Sequence, residues 1–175
     1  MKRVLTPILL FAAVFLVPLT VQAAFVLYFH TFGAWSVSCW RDPFSGDNFC
    51  SLSAPPPALN TTGRRGLIGL AKEKDGMVIW ALPGGEPGDR VSLRVDDNPD
   101  HPAQLDINGR VSWRGAEALD IIDEFISGGA MRLNSFSIGG MSPPVEILSL
   151  ETFPDALSLY QAKLLIYSVN LPHGD

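Results

Sequence analysis

The chemically most loaded pair in the chain is Cys39 and Cys50, its only two cysteines. An even thiol count behind an export-type leader reads as a structural disulfide. Pro43 and the run Ser45-Gly46-Asp47-Asn48 are turn formers, so the segment between the sulfurs can fold back and set two strands side by side. Closing a loop of this size contributes about 3 kcal/mol by the chain-entropy account. The spacing does not fit a CxxC redox pair, and two thiols are too few for a zinc site.

Carboxylates come next. Asp96-Asp97-Asn98-Pro99-Asp100 is dense in oxygen ligands, but His101-Pro102 follow where a calcium loop needs a flexible glycine and a distal bidentate carboxylate. An acidic turn between strands is the expectation. Asp120, Asp123 and Glu124 lie one turn apart on a predicted helix, where paired acid-base groups could sit, yet their spacing is that of a solvated helix face. His30, His101 and His173 fall in the leader junction, a loop and the tail, without metal-ligand spacing on one element. Phe136-Ser137-Ile138-Gly139-Gly140 lacks the glycine that a nucleophile elbow places two residues before its serine. Gly84-Gly85 leads into Pro87 and not into a helix, so it is no phosphate loop. These readings predict a non-enzymatic protein with no catalytic residues, no cofactor and no metal. The remaining lead is aromatic: Trp40 and Phe44 lie inside the Cys39–Cys50 loop, where exposure would make them a tip for a protein partner and burial would make them a cover for the disulfide and the end of the core.

The elements that position these residues follow a leader. Met1-Lys2-Arg3 is a basic start, Ile8 to Val17 is apolar, Pro18 breaks the run, and Val21-Gln22-Ala23 offers small side chains for cleavage. Residues 1–23 are thus expected to be a signal peptide. Ala24 to Phe29 prolongs the apolar stretch enough to span a bilayer, so an uncleaved anchor over residues 5–29 is the alternative. Either way Lys2 and Arg3 stay on the cytoplasmic side, and residues 30–170 form a periplasmic domain, free or tethered. The whole chain is 47% hydrophobic and carries a formal charge of −5, which becomes −7 without Lys2 and Arg3. That charge disfavours nucleic acid and anionic lipid as partners, and membrane contact is expected only through residues 5–29 if the leader is retained.

Trp35 to Cys39 alternates in the manner of a half-buried strand, and Asn48 to Ser53 is its partner. The Pro55-Pro56-Pro57 run stops pairing, and residues 58–65, with Arg64-Arg65, read as an exposed loop. Gly66–Ala71 and Met77–Leu82 predict a hairpin, and Arg90–Val95 gives the cleanest alternation. Gln104–Ile107 and Arg110–Trp113 flank Asn108-Gly109, a hairpin signal. A helix follows, with Ala116, Leu119, Ile122 and Ile126 as its apolar face and Gly128-Gly129 as its stop. Ala130–Ile138 and Val145–Leu150 read as strands. Pro154 opens a second helix whose stripe is Leu157, Tyr160, Leu164 and Tyr167. About eight strands and two helices predict a mostly β, β-sandwich-like domain.

This order of features resembles the invasion-associated locus B family of bacterial envelope proteins. The carriers are Phe32-Gly33-Ala34-Trp35-Ser36-Val37-Ser38-Cys39, Cys50-Ser51-Leu52, Val91-Ser92-Leu93-Arg94-Val95-Asp96, Ile126-Ser127-Gly128-Gly129-Ala130-Met131-Arg132-Leu133, and Leu148-Ser149-Leu150 with Phe153-Pro154-Asp155-Ala156-Leu157. Many members of that family carry a second cysteine pair, and this chain has none, with the Asn108-Gly109 turn and Trp113 in its place. The resemblance implies a sandwich-like envelope protein, linked in some bacteria to host-cell entry, without an enzymatic mechanism. The expected function is therefore contact with an envelope or membrane protein. The alternatives are a single-pass accessory subunit of a membrane complex and, behind it, a hydrolase or ligand-binding sandwich.

Overall fold

The computed structural model describes residues 25–54, 68–136 and 146–168. The leader and its cleavage point, the 58–65 loop, Ser137, the Gly139-Gly140 and Pro143-Pro144 breaks and His173 lie outside the described residues.

Two antiparallel sheets and two helices share one core. The six-stranded sheet runs β1 (Phe25–Phe32), β2 (Trp35–Arg41), β3 (Asn48–Ala54), β4 (Ile68–Glu73), β5 (Gly76–Ala81) and β8 (Val111–Arg114). The four-stranded sheet has the order β10 (Glu146–Ser149), β9 (Ala130–Phe136), β6 (Arg90–Val95) and β7 (His101–Gln104). Helix α1 (Gly115–Ser127) packs on β5, β8 and β6, and α2 (Phe153–Ser168) packs on β1, β2 and β3.

Period-two alternation sets the inner face of the larger sheet. Val37, Leu52, Leu70, Ile79 and Trp113 stand opposite one another from β2 to β8, every one of them buried. In the smaller sheet Leu93 faces Leu133 and Val95 faces Met131 on the same terms. A one-residue slip in any of these strands would turn its whole apolar set to water, so burial fixes the register. Trp35, Phe125 and Phe153 tie the helices to the sheet, with ring centroids 4.8–6.0 Å apart.

Four local expectations are corrected. Phe25–Phe32 is an edge strand paired to β2, so the apolar stretch does not continue as helix through Phe29. The paired sheet includes residues 25–29. The Asn108-Gly109 turn forms, with Gly109 at φ +71° and Asp106 accepting from the amides of Asn108 and Arg110. The strands it joins, however, belong to different sheets: β7 pairs with β6 and β8 with β5. The buried stripe of α1 is Ala118, Ile121, Ile122 and Phe125, while Leu119 and Ile126 are exposed. The helix turns to place Phe125 in the aromatic cluster, the largest apolar group it can bury. Gly128, finally, is extended (φ −89°) and not left-handed. It is needed for space, because a Cβ there would lie 2.4 Å from Val95 Cγ1 and 2.8 Å from the Glu124 carbonyl oxygen.

Candidate functional site

The disulfide forms as expected, between residues that face each other across β2 and β3 on the inner side of the sheet. Cys39 is fully buried and Cys50 nearly so. Alternation then sends the next residue on each strand outward. Trp40 and Phe49 are paired across the strands and stack with ring centroids 6.4 Å apart, and Val26 of β1 stands on the other side of Trp40. Phe29 lies one row further along the same outer face, opposite Ser38.

The β2–β3 loop is held by its own first residue. Asp42 Oδ1 accepts from the amides of Phe44 and Ser45, both at 2.8 Å, while the Asp42 carbonyl accepts from Gly46 N. Arg41 Nε donates to the Gly46 carbonyl. The Ser45 and Phe44 amides hold the Asp42 carboxyl below its ordinary range, because they bond to its charged form. This fixed turn presents Phe44 with 89% of its surface in water. Trp40 lies partly buried on the outer sheet face, and Phe44 stands exposed at the turn.

Helix α2 brings its last turn to the same end, where Asn48 Nδ2 donates to the Tyr167 carbonyl. Lys163 Nζ lies 3.8 Å from the centre of the Tyr28 ring and binds the helix to the edge strand. Thirteen large hydrophobic side chains are exposed among the described residues. Eight of them lie on β1 (Phe25, Val26, Leu27, Phe29), on the β2–β3 hairpin (Phe44, Phe49) and in the last turns of α2 (Leu165, Ile166), with Val26 and Phe29 on the Trp40 side of the sheet and Phe25 on the other. Single exposed hydrophobics are ordinary on a protein surface, and more than half of those exposed among the described residues fall on these neighbouring elements. Trp40 and Phe44 stand out in the sequence through the disulfide loop, whereas Phe25–Phe29 reads there as a continuation of the leader. The signal is aromatic density: Phe25, Tyr28 and Phe29 make three aromatics in five residues, against Phe11 and Phe15 in the 24 residues before them, which suits a strand.

The polar groups sort differently from expectation at one point. His101 is in β7, not a loop, and its side chain is only 14% exposed. Its Nε2 is 3.2 Å from Glu124 Oε1, and Glu117 approaches Nδ1 at 3.9 Å. Glu124 thus leaves the solvated face on which Asp120 and Asp123 remain exposed. His30 is exposed on β1 and meets the edge of Phe32. Asp96, in a left-handed turn at φ +45°, accepts from the Gly129 and Ala130 amides with its two oxygens, at 2.8 and 3.0 Å. The acidic run is therefore a turn that clasps the α1–β9 junction. Among the described residues no group of three or more His, Cys, Asp or Glu is arranged to hold a metal ion. One open depression, lined by Arg90, Pro102, Ala103 and Gln104, lies on the β7 edge of the smaller sheet.

No family model matches this chain, and no curated protein matches it. Among solved structures it is similar to the crystal structure of invasion associated protein B from Bartonella henselae, with a TM-score of 0.60 and 18% identity. The match covers 79% of this chain and 98% of that one. The two chains share a fold. The family resemblance carried by the segments from Phe32 to Leu157 thus holds at the level of architecture, although the second cysteine pair is missing.

Proposed function

We propose that this chain is a non-enzymatic protein of the bacterial cell envelope, related in role as well as fold to invasion associated protein B, and that it works by contact. The contact surface is the disulfide-braced end of the larger sheet, with Trp40, Phe44 and Phe49 as its anchors. The observation that carries this reading is the gathering of exposed aromatic side chains on a hairpin whose turn is already fixed by Asp42. Large rigid aromatics contribute most to interfaces, and a turn ordered beforehand loses little entropy on binding. The leader supports a periplasmic setting, in which the Cys39–Cys50 bridge can form. Amide hydrogen exchange of the full chain in native membrane vesicles, compared with the detergent-solubilised chain, tests it. Protection confined to residues 25–29 and 40–50 is expected, and equal exchange in both states would retire the reading.

A second reading, a single-pass anchored subunit of a membrane complex, is favoured by the direct passage of the apolar leader into β1. The mass of the native N-terminus separates the two, since a start at Ala24 removes the anchor.

A further inference from the structure

We infer that the exposed aromatic end of the six-stranded sheet faces the bilayer and seats in the headgroup region of zwitterionic lipid. The inference rests on the proposed reading of this end as a contact surface, and it assigns the partner.

The first argument is where the chain comes from. Residues 5–24 contain no charged side chain and number about 20, the length that spans a hydrocarbon core. Strand β1 starts at Phe25, the very next residue, so no polar linker separates a retained leader from the sheet. From Val4 to Trp40 there is no Asp, Glu, Lys or Arg at all. With the leader retained, a domain tied so closely to a span keeps that end at the membrane surface, where effective concentration is high and even a weak patch engages.

The second argument is what stands at that end. Val26, Phe29 and Phe49 are exposed on the outer face beside the partly buried Trp40, Phe25 is exposed on the opposite face of the same edge, and Phe44 is exposed at the turn. Aromatic rings concentrate at the membrane–water boundary, and an apolar face lying in the interface needs no complementary protein shape. The charges at this end are mixed. Arg41 donates to the Gly46 carbonyl, Lys163 lies over the Tyr28 ring, and the Asp42 carboxylate is turned onto the amides of its own loop. Together with the negative domain, this points to zwitterionic rather than anionic lipid.

The test places a photoreactive benzophenone side chain at position 44 of the full chain in living cells, with position 107 as the comparison site. Both residues are more than four-fifths exposed, so neither replacement disturbs packing. Phospholipid adducts several-fold more abundant at position 44 than at 107 are expected. A protein adduct at 44 without lipid overturns this inference and leaves the contact reading standing. Equal, background-level adducts at both positions overturn the two together.

Discussion

Reducing the Cys39–Cys50 bridge should cost the domain about 3 kcal/mol and should not unfold it. The bridge closes a loop with a sequence separation of 11. A loop of about a dozen residues loses close to 3 kcal/mol of unfolded-chain entropy at room temperature when cross-linked. The native hairpin, in contrast, keeps its other ties: the β2–β3 ladder, the Asp42 turn bonds and the Trp40–Phe49 stack. Reduction therefore acts by returning entropy to the unfolded state and leaves the register untouched. For a domain of this size it should lower the midpoint by roughly 6–12 °C. Urea unfolding and thermal melts with and without reductant measure it, and strand content by circular dichroism reports the native fold. A stability difference below about 1 kcal/mol would refute the entropic argument. Loss of strand signal on reduction alone would refute the claim that the hairpin stands on its other contacts.

Three further outcomes follow from the packing. Gly128→Ala forces a methyl against Val95 and the Glu124 carbonyl and should cost about 1–3 kcal/mol by denaturant titration, with Gly129→Ala milder because its nearest neighbours lie 3.7–4.0 Å away. The Asp96 carboxyl is held below its unfolded range first by the Gly129 amide and then by the Ala130 amide. Its contribution is therefore complete above the unfolded value near 3.8 and is lost as pH falls through the folded one, so an Asp96→Asn variant should show a shallower acid limb below about pH 4 in a pH–stability profile. His101→Ala strips the half-buried Glu124 of its partner and should cost about 1–3 kcal/mol in the same titration, most of it recovered by adding Glu124→Leu.

Elements whose pattern is short-range were legible in the sequence. The β2–β3 pair, the β4–β5 hairpin, β6 and the Leu157–Tyr160 stripe of α2 all follow from alternation or helical period plus turn chemistry. What failed depended on distant partners. Asn108-Gly109 specifies a turn, and only the competition between Val111–Trp113 pairing with β5 and His101–Gln104 pairing with β6 decides that it bridges two sheets. The face of α1 was misjudged because its orientation is set by Trp35 and Phe153, remote in sequence. His101 looked like a loop residue because neither β7 nor its meeting with Glu124 has a local signature. Half of the candidate surface was legible for the same reason. Trp40 and Phe44 lie in the disulfide loop, whereas Phe25 to Phe29 join them only through the pairing of β1 with β2.

The whole account rests on a domain that matures where its thiols can oxidise. Whole cells quenched with an alkylating reagent, followed by mass analysis of the Cys39 and Cys50 peptides, read that state directly. Both sulfurs should stay unlabelled until reductant is added. Alkylation of both without reductant would contradict export, the bridge and the braced surface at once.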